Sequence, residues 1–149
     1  SRYLAERKLT QRDIAGVISL GCRLNDSVFI SAAPPSDYES SWAPPDRIDD
    51  FMKTESAYVN LEQRNAVVPA SYVDDQLPPT LVLIAQEERF FPPVLRDGAE
   101  FVGRALVAGA DAELKILADR RHMTALEKMV TPQDPTVQTV VTFIRAHQR

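Results

Sequence analysis

The sequence predicts an α/β protein in which a parallel sheet carries helices on both of its faces. Two observations predict this class. Short, continuous apolar runs of the kind found in buried strands recur along the chain. A helical pattern or a long excursion separates each run from the next. Strands joined in this way lie parallel and are connected by right-handed crossovers.

Three segments are the predicted strands. Residues 14–20 form a short apolar run that is closed by Gly21. Residues 80–85 form the most continuous apolar run in the chain, and residues 112–118 alternate between apolar and polar positions as a strand does. Three parallel strands are few for a sheet that is covered on both sides, so the chain is short for its own architecture.

Four helices are expected among and after these strands. The first is predicted over residues 46–60, where apolar side chains recur at helical spacing after the proline pair at 44–45. Residues 94–108 carry apolar side chains at helical spacing and stop at Gly109, a residue type that favours helix ends. A short helix is predicted over residues 124–130, after a charged loop at residues 119–122. Pro135 opens the last helix, since proline is well tolerated at a first helical position.

A length of 149 residues is that of one domain. We therefore predict a single domain over residues 1–149, and a partial one because three strands are few for such a sheet. Residues 25–45 are rich in Ser, Ala and Pro, with paired prolines at 34–35 and 44–45. Because proline interrupts helices and sheets, this segment is expected to begin an excursion from the domain that extends to residue 76.

The charge balance argues against a nucleic-acid partner. Seventeen Lys and Arg stand against 21 Asp and Glu, which leaves a net charge of −4 and no basic stripe. The apolar runs are much shorter than the roughly 20 residues that span a bilayer, so no membrane span is predicted.

Neither a metal nor an organic cofactor is predicted. The single cysteine, Cys22, excludes an internal disulfide and a Cys-based zinc site, and it favours a cytoplasmic location. No His, Asp and Glu residues have metal-ligand spacing, and no glycine-rich loop could hold a phosphate. His147, close to the end of the last helix, is expected to be structural because a cation is favourable there.

The candidate functional residues follow two of the predicted strands. Glu87 and Glu88 follow the second strand, and Arg120, Arg121 and His122 follow the third. Open α/β sheets place their sites at such carboxyl ends. A carboxylate that orients a histidine is the arrangement needed to activate a serine nucleophile. The alternative interpretation is that the carboxylates are solvated loop charges and that the histidine caps a helix.

Several segments, taken in order, resemble the C-terminal half of α/β-hydrolases. They are residues 13–20, residues 77–84 with the following Gln-Glu-Glu at 86–88, residues 108–114, and Arg-His-Met-Thr at 121–124. The resemblance is to the carboxylesterase and lipase group that includes kynurenine-formamidase-like enzymes. It implies an α/β-hydrolase fold and hydrolysis of a carboxylic ester or an aryl formamide. It also implies that the excursion over residues 25–76 is cap-like.

The resemblance also implies roles for three residues. His122 would be the histidine of a catalytic triad and Glu88 its acid, with Glu87 as the fallback. Two features depart from the family. A glutamate stands where the family mostly has aspartate, and Arg121 precedes the histidine where glycine or a small polar residue is common.

The third member of the triad is absent from this sequence. None of the five glycines brackets a serine in the G-x-S-x-G spacing of a nucleophile elbow. We therefore expect this chain alone to be inactive. We also expect it to associate with a complementary N-terminal hydrolase fragment, or with itself, through the edge of strand 14–20. The competing prediction is a non-catalytic binding or scaffolding remnant that recruits a partner through that edge.

Overall fold

The structure is a computed structural model that describes residues 2–21, 24, 68–87 and 93–148. Predictions for Cys22, Glu88 and residues 25–67 of the excursion lie outside these residues. The described elements, in chain order, are helix α1 (Arg2–Glu6), a 3-10 helix (Gln11–Asp13), strand β1 (Val17–Leu20), a second 3-10 helix (Pro69–Tyr72), strand β2 (Thr80–Glu87), helix α2 (Pro93–Val107), strand β3 (Ala112–Arg121), helix α3 (His122–Glu127) and helix α4 (Pro135–His147).

The three strands form one parallel sheet in the order β1-β2-β3. Strand β2 is central, and its residues from Thr80 to Ala85 are almost completely buried. Alternate side chains of β2 enter two separate apolar clusters. Val82 and Ile84 pack mainly with α2, whereas Leu81 and Leu83 pack with α3 and α4. Helices therefore cover both faces of the sheet, which confirms the predicted fold class.

Helices α2 and α4 match the sequence predictions closely. Helix α2 ends at Val107, and Gly109 follows in the left-handed conformation with φ = 84°. Helix α4 begins at Pro135, as expected. No helix in the described part of the chain is long and apolar enough to cross a bilayer.

The prediction for the first strand was too long and too buried. The strand covers only Val17–Leu20, and the side chains of Val17 and Ile18 are 40% and 36% exposed. Within the described residues, β1 pairs with β2 alone. Val17 and Ile18 point to opposite faces of the sheet, so in the described part of the chain β1 is partly exposed on both faces.

The end of the third strand was also predicted wrongly. The loop expected at 119–122 belongs largely to the sheet, because β3 continues to Arg121, which lies opposite Glu87. Helix α3 then begins at His122, two residues before the predicted start. The hydroxyl of Thr124 accepts a hydrogen bond of 2.8 Å from the backbone N–H of Arg121, which closes the first turn of this helix.

Candidate functional site

The carboxyl ends of the three strands bring together residues that are distant in sequence. Gly21 follows β1, Glu87 ends β2, and His122 directly follows β3. The parallel ladder continues to Gly21, whose N–H donates to the carbonyl of Leu83 at 2.8 Å. These three residues therefore lie along one edge of the sheet, where open α/β folds place their sites.

The half-buried imidazole of His122 contacts the backbone of Gly21. A Cβ atom built on residue 21 would lie 3.1 Å from Cε1 and 3.2 Å from Nδ1 of the ring. Because β2 lies between β1 and β3, the histidine side chain must extend across the end of β2 to make this contact. Gly21 has φ = 61°, and the absence of a side chain lets the ring approach its backbone.

Glu87 and Arg121 form an ion pair beside this contact. The distance between Oε2 of Glu87 and Nε of Arg121 is 3.3 Å, and both side chains are about half exposed. An exposed pair of this kind contributes little to stability. The carboxylate of Glu87 does, however, offset the positive charge of Arg121, the residue that precedes His122.

A bulge in β3 determines how the chain approaches His122. Residues 118–120 of β3 lie opposite Gln86 alone. Asp119 has φ = 54°, an uncommon conformation for a residue with a side chain. Its N–H donates to Oε1 of Gln86 at 3.3 Å. Because a bulge bends and twists its strand, this one sets the direction in which His122 leaves the sheet.

Arg120 points from the bulge to the start of α4. Its guanidinium forms an ion pair with the carboxylate of Asp134, and both side chains are largely buried. Asp134 also accepts hydrogen bonds from the backbone N–H groups of Thr136 (2.8 Å) and Val137 (3.3 Å). Burial by itself raises the pKa of Asp134, but the two N–H groups and the charge of Arg120 outweigh it and lower the pKa below 3.8.

His147 lies at the opposite end of the sheet from His122, where it contacts α4 and the loop before β3. Its Nδ1 is 2.8 Å from the carbonyl oxygen of Phe143, and its Nε2 is 3.1 Å from a carboxylate oxygen of Asp111. The carbonyl of Phe143, followed by the carboxylate of Asp111, raises the pKa of His147 above 6.5. The imidazole thus links the end of α4 to the loop before β3.

Of the site residues predicted from the sequence, His122 and Glu87 are described, and both lie at the expected edge. Glu88 lies outside the described residues. Within the described segments, no group of three His, Cys, Asp or Glu side chains could hold a metal ion.

Sequence reasoning missed the contribution of Gly21 and the pairing of Arg120 with Asp134. A glycine placed directly after a strand at the site edge is a signal for close approach to the backbone. An Asp-Pro pair signals a capped helix start, but the sequence carries no sign of which cation would reach that aspartate.

Two solved structures with high similarity are lipases or their homologs. One is a hormone-sensitive lipase from a metagenome library, with a TM-score of 0.63 and 23% identity over 97% of this chain. The other is EstE7, a hormone-sensitive lipase homolog from a metagenome library, with a TM-score of 0.60 and 23% identity over 96% of this chain. The chain has part of an α/β-hydrolase fold.

The match covers only part of each lipase. The chain spans 47% of the length of both solved structures, about half of either. At 23% identity the likeness shows the fold alone. No protein-family model matches the chain, and no curated protein matches it significantly.

Proposed function

We propose that this chain supplies the histidine and the acid of a serine hydrolase that acts on carboxylic esters. In this proposal His122 takes the proton from a serine hydroxyl as the serine oxygen attacks the ester carbonyl. The alcohol leaves with that proton, and the acyl group stays on the serine. His122 then activates water in the same way, which releases the acid and regenerates the serine.

The observation that carries this proposal is the position of His122. Its imidazole lies at the carboxyl edge of a parallel sheet, against Gly21, in part of an α/β-hydrolase fold. The fold belongs to proteins that are named lipases, and a histidine at this edge can transfer protons in hydrolysis.

Glu88 is the preferred acid, and Glu87 is the alternative. The carboxylate of Glu87 is 3.3 Å from the guanidinium of Arg121, so it already has a cationic partner. This ion pair favours Glu88 as the group that orients the imidazole. A glutamate can take this role, since triads with Glu occur in α/β-hydrolases.

The serine and the oxyanion donors come, in this proposal, from a complementary polypeptide or from a further part of the native protein. The chain has no G-x-S-x-G motif, and it spans about half the length of the lipases that it resembles. By itself the chain is expected to be inactive, because covalent catalysis needs the nucleophile.

The substrate class within this proposal is an ester, with an aryl formamide as the second candidate. The sequence resemblance to kynurenine-formamidase-like enzymes favours the formamide, whereas the structural likeness to lipases favours the ester. Rates with a p-nitrophenyl ester and with an N-formyl anilide, measured on the same preparation, distinguish the two.

The test is labelling of the native protein, together with any polypeptide that purifies with it, by a fluorophosphonate probe. We expect a labelled serine, with labelling lost in His122→Ala and strongly reduced in Glu88→Gln. The matched control, His147→Ala, should still be labelled. Labelling that is retained in Glu87→Gln and reduced in Glu88→Gln would assign the acid to Glu88, and the reverse result would assign it to Glu87. Absence of labelling in the unaltered protein contradicts the proposal.

The exposed side of β1 favours a second candidate function, a non-catalytic module that recruits a partner. Val17 and Ile18 are partly exposed apolar residues on a strand that pairs with β2 alone in the described part of the chain. Such an edge is a template for another strand. Association through β1 without any labelled serine would favour this function over the hydrolase.

A further inference from the structure

The segment that leads to His122 has little regular support from the sheet. Residues 118–120 lie opposite Gln86 alone, and Asp119 has a positive φ. Two side chains contact the backbone of Asp119: Gln86 accepts from its N–H at 3.3 Å, and Nζ of Lys128 lies 3.4 Å from its carbonyl oxygen. Both of these contacts are exposed, so neither is strong.

The buried contact of this segment is the ion pair between Arg120 and Asp134. The side chains are only 11% and 7% exposed. Removal of one partner from a buried pair leaves an uncompensated charge, so the pair resists being opened. It therefore restrains the bulge more strongly than the exposed contacts around Asp119.

Asp134 is itself held in a fixed position. It accepts from the N–H groups of Thr136 and Val137 at the start of α4. Helix α4 is in turn packed on the sheet through Phe143, which is in the same buried cluster as Leu81 and Leu83 of β2. The bulge is thus connected through one carboxylate to a helix that is anchored on the central strand.

We propose that Arg120, through its buried ion pair with Asp134, is a positioning residue that holds the His122 imidazole against Gly21. Arg120 comes two residues before His122, so a shift of the backbone at Arg120 on loss of this ion pair would reach the start of α3. A contribution of Arg120 to catalysis rests on the proposed function. Its effect on the position of the His122 ring does not.

The experiment measures the contact itself by proton NMR on the full 149-residue chain. The unaltered protein should show a nuclear Overhauser cross-peak between Hε1 of His122 and the α-protons of Gly21. We expect this cross-peak to be lost in Arg120→Met and in Asp134→Asn. Asparagine can still cap α4, so Asp134→Asn removes the ion pair while preserving the helix start.

Controls separate a local effect from a general one. The second histidine, His147, serves as an internal reference. The centroids of its ring and of the Phe143 ring are 4.4 Å apart, so this pair should give a cross-peak in every folded variant. Arg96→Met removes an exposed i,i+4 ion pair with Glu100 and should leave the His122 cross-peak unchanged. Arg120→Lys retains a cation and should restore part of the cross-peak that Arg120→Met loses.

Three results would overturn the inference: no cross-peak in the unaltered chain, full intensity in both Arg120→Met and Asp134→Asn, or equal loss in Arg96→Met. If Arg120→Met does not fold, Asp134→Asn and Arg120→Lys decide the question. Failure of the fluorophosphonate test would refute the proposed function, whereas this comparison would still decide whether Arg120 positions the ring.

Discussion

The imidazole of His122 rests on the backbone of Gly21, although the two residues follow strands that are not adjacent in the sheet. The ring extends across the end of β2 to the end of β1, where a Cβ atom would be only 3.1 Å from Cε1. This contact joins the ends of all three strands at one edge, and it depends on a residue that has no side chain.

Gly21→Ala should therefore disturb both the backbone and the ring. A left-handed conformation costs an alanine about 1–2 kcal/mol. Gly109→Ala is the matched control, because Gly109 also has a positive φ but no atom within 4 Å of a built Cβ. Urea unfolding should show similar destabilisation in both variants, whereas the NMR signals of the His122 ring should shift only in Gly21→Ala. Unchanged ring signals in Gly21→Ala would refute the contact.

Leu83→Ala should destabilise the protein strongly. Leu83 is fully buried in the cluster between the sheet and helices α3 and α4, and its truncation leaves a cavity. The expected loss is about 2–5 kcal/mol of unfolding free energy. Leu106→Ala, at a position that is 57% exposed, should change it by less than about 0.5 kcal/mol. Equal effects in urea titrations would contradict the assignment of β2 as the central strand.

The contact between His147 and Asp111 should make stability depend on pH. Because the carbonyl of Phe143 and the carboxylate of Asp111 raise the pKa of His147 in the folded chain, folding favours the protonated imidazole. The stabilisation is then full below pH 6.5, and it is lost as the pH rises through the higher, folded pKa.

His147→Gln tests this dependence. The difference in unfolding free energy between the unaltered chain and His147→Gln should be largest in mildly acidic buffer and should shrink towards alkaline pH. A difference that stays constant across this range, or that grows with pH, would show that the imidazole is not held by these two acceptors.

Ile18→Pro should prevent association through β1. The N–H groups of Val17 and Gly21 donate to Pro79 and Leu83 on the β2 side. Alternation along a parallel strand therefore directs the N–H of Ile18 away from β2, so a proline there removes a donor from the open flank alone. Sedimentation should show an associated unaltered chain and a dissociated variant. If the unaltered chain remains monomeric at every concentration, association through this strand is contradicted.

The sequence predicted those parts of the fold that are determined by local patterns of residue types. The apolar run of β2 and the proline at the start of α4 predicted their elements correctly, because each pattern has one dominant structural meaning. The end of β3 was missed because the charged residues at 119–121 read as a loop, whereas pairing with β2 retains them in the sheet.

The site could be predicted only as a set of residue types at one edge. The sequence places His122 and Glu87 after neighbouring strands. In the structure His122 follows β3, whereas Glu87 is the last residue of β2, which extends two residues beyond its predicted end. Of the residues that make the contact with Gly21 and the ion pair with Asp134, Arg120 lies in the bulge of β3 and His122 follows two residues later. The bulge adds two residues to β3 relative to β2, and no pattern in the sequence marks such an insertion. Neither contact could therefore be predicted.

Chemical rescue of ester hydrolysis tests most directly whether His122 is the proton carrier. The native protein, together with any polypeptide that purifies with it, is assayed with a p-nitrophenyl ester as unaltered protein, as His122→Ala and as His147→Ala. Loss of the proton carrier should reduce kcat on the order of 10⁴-fold or more. Added imidazole should restore part of that activity in His122→Ala, and His147→Ala should remain active. Full activity in His122→Ala would contradict the role of His122 in proton transfer.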